Sequence, residues 1–400
     1  MRPVFPNVPI SAKRLIYLTV PIGLSYGYLL TVIAAYLPEI GMTSGQVGAI
    51  LGVTGISIVI VAVPLGMLSD RIGRKRVLLA GLLLIIPMTL VYGLTTDFTA
   101  LLIAAAVGGV GEGAFMASWN ALIADMTTTE NREEAFVMSF ILNGTFTAIG
   151  AALPVILPLA AQTFGITVLQ AHAATFLVLT VLNLVPPLVL RRILKDYHES
   201  HELQERPDGI KKGKNLKRIL RFSFCNALIG LGAGLIIPLV PTWLWLRYSI
   251  PDSLSGPLLA VAGISIAMAA FLSVRLGRKV GAVRAIVICQ GASTIFMALI
   301  PLMPGAFLAS MTYLVRAMLM NMAGPLGDAY MMGIISKEER GLASAINNIV
   351  WRLQNSVTTV IGGAMLAAGI YDLPFYLAAA FYIVSIVSFY FLFKDIKPRD

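Results

Sequence analysis

A chain of 400 residues that is 58% hydrophobic and only 12% charged cannot clothe a water-facing surface, because soluble domains carry about a quarter charged residues. With a mean hydropathy of +0.84, its excess apolar surface must face lipid, which excludes an ordinary soluble fold. The net charge of +10 would suggest nucleic acid in a soluble chain, but the basic residues fall in short loops between apolar runs. They read as topology signals, and no nucleic-acid partner is expected.

A membrane helix needs about 20 mostly apolar residues. Cutting at polar and Gly/Pro punctuation predicts twelve spans in chain order: 15–37, 45–69, 76–96, 98–124, 134–163, 168–193, 218–246, 255–276, 283–303, 305–334, 340–368 and 373–393. Those near 30 residues imply tilt or extension beyond the bilayer. Arg2, Lys13 and Arg14 precede the first run, which is long enough to span and lacks a following cleavage site, so it reads as a retained helix. With both termini cytoplasmic, inner segments hold 27 of the 30 lysines and arginines. Arg247 alone falls outside, and Arg316 and Arg352 lie within spans. Such asymmetry supports an even number of helices.

The longest polar stretch, 195–217, contains His198, His201 and Lys211-Lys212-Gly213-Lys214. It divides the chain into an N-terminal half (1–194), a cytoplasmic linker and a C-terminal half (218–400). The halves repeat. Arg71-Ile72-Gly73-Arg74-Lys75 matches Arg275-Leu276-Gly277-Arg278-Lys279, and Glu130-Asn131-Arg132 matches Glu338-Glu339-Arg340, at nearly one offset. Parallel halves of this kind are a transporter architecture. Cys225 and Cys289 sit in apolar runs without metal spacing, and the histidines form no ligand cluster on one helix. No nucleophile elbow, nucleotide fingerprint or phosphate loop is present. The expectation is a non-enzyme without cofactor or metal, driven by an ion or substrate gradient.

The loop after the second span reads Gly66-Met67-Leu68-Ser69-Asp70-Arg71-Ile72-Gly73-Arg74-Lys75-Arg76. It resembles the G-x-L-x-D-R-x-G-R-K signature of the major facilitator superfamily. With twelve spans and the six-plus-six repeat, the resemblance covers essentially the whole chain. It implies an all-α integral membrane fold of two pseudo-symmetric six-helix halves, in a multi-pass cell-membrane protein working as a monomer. It also implies that this loop is a conformational latch: Gly66 for close helix approach, Gly73 for a tight turn, and Asp70, Arg71, Arg74 and Lys75 as its charges. Asp125 stands where the family pattern has an acid at the end of the fourth helix. The second copy has Val274 in place of Asp70.

A charge near mid-membrane costs roughly 2.5–3.5 kcal/mol by insertion scales and marks a functional hypothesis. Glu112 lies halfway along the fourth span, in Gly108-Gly109-Val110-Gly111-Glu112-Gly113. Arg316 and Arg352 lie halfway along the tenth and eleventh. The repeat offset puts Glu112 and Arg316 about 6 Å apart in depth. In the family, the first, fourth, seventh and tenth helices line the cavity, so the resemblance places Glu112 and Arg316 across a substrate site. Glu112 is expected to carry a proton or meet a cation. Arg316 and Arg352 are expected to bind an anionic group or reset that carboxylate. A static Glu–Arg pair is the structural alternative. Tyr26, Trp119, Asn226, Asn348 and Met320, the last on a methionine-rich tenth span, are further cavity candidates. Asp328 reads as a gate or helix-end contact. Trp243 and Trp245 suit an interfacial belt. Prolines in spans 5, 7 and 10 predict bent helices.

The nearest type within the family is the drug:proton antiporter. Two of its signatures depart here: the fourth span offers Gly108 and Glu112 where an Arg is expected, and the fifth lacks a Gly-Pro pair. Three functions remain open: proton-coupled efflux of amphipathic, drug-like molecules; transport of a small organic anion on the mid-span arginines; or a non-transporting receptor or lipid-moving protein on the same scaffold.

Overall fold

Backbone groups in lipid must be satisfied within their own segment, and this chain does so with helices: no strand occurs among the described residues. The computed structural model describes residues 5–128, 130–193, 215–336 and 339–396, so the expected linker lies outside them up to residue 214. The helices are α1 (Ile10–Glu39), α2 (Ser44–Ile72), α3 (Arg74–Leu94), α4 (Phe98–Asp125), α5 (Arg132–Phe164), α6 (Val168–Ile193), α7 (Leu216–Tyr248), α8 (Asp252–Val280), α9 (Ala282–Leu302), α10 (Ala306–Ile334), α11 (Arg340–Ala367) and α12 (Leu373–Phe393). Among the described residues ten of these, all but α8 and α11, are long and apolar enough to cross a membrane. The polar residues Asn347, Asn348, Arg352, Gln354 and Asn355 dilute α11, which still runs for 28 residues. The 29-residue α8 contains the apolar run 255–276. Each expected span is therefore a helix of a multi-pass membrane protein.

Local chemistry sets the punctuation. Gly73 (φ +104°) and Gly281 (φ +85°) occupy repeat-related turns, after α2 and after α8. Their positive φ is strained for any residue bearing a Cβ. Asp97 caps α4 by accepting from the Ala100 amide at 2.8 Å, and Thr167 with Gln170 forms a capping box on α6. Pro154 lies within a tightened turn at Leu153–Ile156 in α5, with Pro158 just beyond it. Pro238 lies within a similar turn at Ile237–Leu239 in α7, with Pro241 just beyond it. By contrast, α10 stays helical through Pro325. A widened π turn at Val32–Tyr36 interrupts α1.

The chain divides into two compact units. The first comprises Met1–Met42, Ala49–Ser200 and Pro251–Ala260; the second comprises Thr43–Gly48, His201–Ile250 and Val261–Asp400. In the first, α1 packs on α5 and α6, and α3 on α4 and α6. In the second, α7 packs on α11 and α12, and α9 on α10 and α12. The neighbour lists coincide once helix numbers are shifted by six, so the sequence repeat is also a packing repeat. Small residues make these contacts, as expected where lipid supplies no hydrophobic drive between helices. A Cβ on Gly27 of α1 would fall 1.9 Å from the Thr147 carbonyl oxygen of α5, and one on Gly362 of α11 would fall 1.9 Å from the Leu235 oxygen of α7.

Two expectations need correction. Trp243 is fully buried, not interfacial: its ring meets Phe375 of α12 edge-on at 4.9 Å and Tyr248 at 5.5 Å, filling space beside the proline-broken part of α7. The close approach expected at Gly66 is not made in this structure among the described residues either, since a Cβ there would meet nothing within 4 Å. The methionines of α10 divide: Met322 and Met331 are buried in the core of the second unit, while Met311 is exposed.

Candidate functional site

The glycine run of α4 admits its neighbours at backbone distance. Cβ atoms on Gly109 and Gly113 would meet Thr54 and Val61 of α2, and those on Gly108 and Gly111 would meet Met88 and Gly81 of α3. Residues three or four apart share a helix face, so two faces of α4 are committed to packing. Glu112 falls between them and is half-buried. Two turns on, Trp119 is buried, stacks on Phe115 at 5.0 Å, and donates its indole N–H to Ser139 Oγ of α5 at 3.1 Å. Its polar atom is thereby satisfied inside the first unit. Tyr26 of α1 is 39% exposed.

The second unit holds the other candidates. Arg316 of α10 is 4% exposed. Its guanidinium donates to the Tyr382 hydroxyl of α12 at 2.5 Å and lies 5.6 Å from that ring's centre. Its backbone oxygen accepts from Ser293 Oγ of α9 at 3.0 Å, and buried Tyr313 stands one turn earlier. No carboxylate pairs with Arg316 among the described residues, and its Nε has no partner. Asn226 of α7 donates to Asn347 of α11 at 2.8 Å, so part of the polar stripe on α11 joins helices. Arg352 and Met320 are half-buried, and Asn348 is exposed and bonded to the Ser344 oxygen at 3.0 Å. The sequence reading missed Tyr382: a tyrosine in an apolar span carries no signal that it will meet a buried arginine from another helix.

At the basic loop, Gly73 turns the chain so that Arg74 opens α3. Arg74 forms a short ion pair with Asp125, the last residue of α4. Arg132 donates to the nearby Ala124 oxygen at 3.3 Å, and Asp70 is exposed. The Arg74–Asp125 side chains keep 31% and 26% of their surface in solvent, and such pairs contribute about 0–1 kcal/mol. Asp125→Asn is therefore expected to move the unfolding temperature by little in a thermal melt. If the loop is a latch, the same variant lowers transport several-fold, so a flux assay beside the melt separates the two roles.

Comparison with known proteins accords with this architecture. The model of the Major Facilitator Superfamily matches residues 15–221 and 222–400. Quinolone resistance protein NorA of Staphylococcus aureus is 28% identical over 126 residues, 31% of this chain and 32% of that protein. An uncharacterized transporter of Buchnera aphidicola is 30% identical over 158 residues, 38% of this chain and 39% of that protein. The matched segments thus span about a third of the curated relatives. Among solved structures, a bacterial homolog of the human lysosomal transporter Spinster has a TM-score of 0.77 at 14% identity, covering 96% of this chain and 97% of that one. A mutant of the nucleoside transporter NupG has a TM-score of 0.74 at 15% identity, covering 96% and 100%. The family match over both halves, the twelve helices among the described residues and the packing repeat together establish that the chain belongs to the Major Facilitator Superfamily, a family of membrane transporters.

Proposed function

We propose that this transporter works by alternating access as a proton-coupled exporter of amphipathic, drug-like molecules. The observation that carries the reading is Glu112: a half-buried carboxylate halfway along α4, kept there although a mid-membrane charge costs several kcal/mol. The partial similarity to a quinolone resistance protein supports export. Glu112 holds the coupling proton, and Tyr26, Trp119, Asn226, Met320, Asn348 and Arg352 contribute to the substrate cavity. The loop of Gly66, Asp70, Arg71, Gly73, Arg74 and Lys75, with Asp125, latches one state. The protein acts as a monomer in the cell membrane with both termini cytoplasmic, the orientation that the Lys and Arg distribution supports. The test is flux in proteoliposomes under an imposed pH gradient, with a lipophilic cation and an organic anion as probes. Cation flux that follows the gradient supports the reading; pH-independent cation flux overturns it.

A second reading, transport of a small organic anion, is favoured by Arg316. It is a buried cation with no carboxylate partner among the described residues and an unfilled Nε, and a carboxylate or phosphate group would complete it. On that reading Arg316→Lys keeps the charge but loses the planar fork, and anion affinity falls by about tenfold or more. Unchanged anion binding in Arg316→Lys removes this alternative.

A further inference from the structure

The first unit contains an ionic cluster, two of its three members buried, at the end opposite the basic loop. Glu39 ends α1, His172 lies in the first turns of α6, and Asp252 opens α8. His172 and Asp252 are 2% and 3% exposed. The Glu39 carboxylate accepts a short hydrogen bond from the Asp252 backbone amide, satisfying one of the unpaired amides at the start of α8. The Asp252 carboxylate stands 3.2 Å from His172 Nε2. That is ion-pair distance, yet neither atom makes a directed hydrogen bond. On the other side of the imidazole, the Tyr28 hydroxyl lies 2.7 Å from Nδ1. A phenol donates to neutral imidazole and accepts from imidazolium, so this contact serves both charge states. Tyr36, on the widened turn of α1, stacks on the imidazole at 3.7 Å.

The groups facing this cluster leave its charge unbalanced. From α1 come Tyr28, Tyr36 and Glu39, from α6 His172 with Thr175, and from α8 Asp252. From α3, Tyr92 reaches Phe176, one turn beyond His172. Among the described residues no lysine or arginine pairs with Glu39 or Asp252. With His172 and Asp252 enclosed and Glu39 half-buried beside them, two carboxylates and one imidazole approach neutrality only by holding protons, because an uncompensated buried negative charge is costly. The cluster also has something to hold. A Cβ on Gly256 would fall 2.3 Å from the Ala151 oxygen, and Leu259 and Ala260 pack on Ala148, Ala151 and Ala152 of α5. The first turns of α8 thus rest on small residues and on the Glu39–Asp252–His172 cluster.

We propose that this cluster is a proton-binding latch: protonated, it holds the first turns of α8 (Asp252 to Ala260) in the first unit, and proton loss releases them. The sign follows from linkage. The latched form binds more protons, so raising pH favours release. The site is separate from Glu112 and does not depend on which substrate is carried.

The test is hydrogen exchange, read by mass spectrometry, on the full-length protein in lipid nanodiscs without substrate. Peptides covering 252–260 are followed from about pH 5 to about pH 8, the interval over which histidine changes charge, after correction for intrinsic exchange. Protection in wild type is expected to fall by about tenfold or more with rising pH. In His172→Gln that pH dependence is lost, while in Glu112→Gln it is retained. If His172→Gln does not fold, Glu39→Gln replaces it, and its protection is expected to persist to higher pH. Protection independent of pH in wild type, or an unaltered pH dependence in the variant, overturns the proposal. Failure of proton-driven drug flux alone does not bear on it.

Discussion

Glu112→Gln is expected to reduce proton-driven efflux of a lipophilic cation by at least about tenfold while leaving substrate exchange at equal pH nearly intact. Glutamine keeps the size of the side chain and removes its charge and its titration. Because Gly108, Gly109, Gly111 and Gly113, not Glu112, make the close contacts of α4 with α2 and α3, the substitution leaves that packing untouched. A loss confined to the coupled assay therefore identifies a proton carrier. Equal loss in both assays identifies a substrate contact, and no loss makes Glu112 a structural residue. The measurement is paired flux in proteoliposomes with and without a pH gradient, at matched protein content.

Gly27→Leu is expected to prevent assembly of the first unit. The new Cβ would lie 1.9 Å from the Thr147 oxygen and 2.8 Å from the Ala151 nitrogen. Both are backbone atoms of α5, so no side chain can swing away. Overpacking commonly costs about 1–3 kcal/mol and more when backbone must move; here α1 and α5 would have to separate along their length. Gly144→Leu is the control, since a Cβ there meets nothing within 4 Å. Size-exclusion profiles and melting in detergent should show an aggregated or strongly destabilised Gly27→Leu beside a near-wild-type Gly144→Leu. Matching profiles would show that α1 and α5 are not packed as described.

The fold was largely legible because lipid imposes a simple rule. Uninterrupted apolar length means a helix, and the repeated Arg-x-Gly-Arg-Lys motif related the halves, although its second copy, expected as a loop, lies in the last turns of α8 and the turn falls at Gly281. Side-chain surroundings were less legible where local composition misleads. Trp243, beside Trp245 and Arg247, has the company of an interfacial aromatic but is enclosed by Phe375 and Tyr248. Gly66 belongs to a motif in which glycine suggests close packing, yet it has open space beside it. Of the candidate site, the mid-span charges stood out because few residues can bear that cost. The surroundings of Arg316, with Tyr382 drawn from a helix 66 residues away, left no trace in the chain order.

Composition, span length and the paired motifs determined by themselves that this protein is a helical, twofold-repeated membrane protein, because bilayer thickness and backbone hydrogen bonding admit few other outcomes for such a chain. Only the tertiary structure decided which polar groups meet. Glu39, His172 and Asp252 sit near span ends, where charge is cheap and carries little information in sequence. They become a cluster because packing of α1, α6 and the first turns of α8 encloses His172 and Asp252 and leaves Glu39 half-buried beside them.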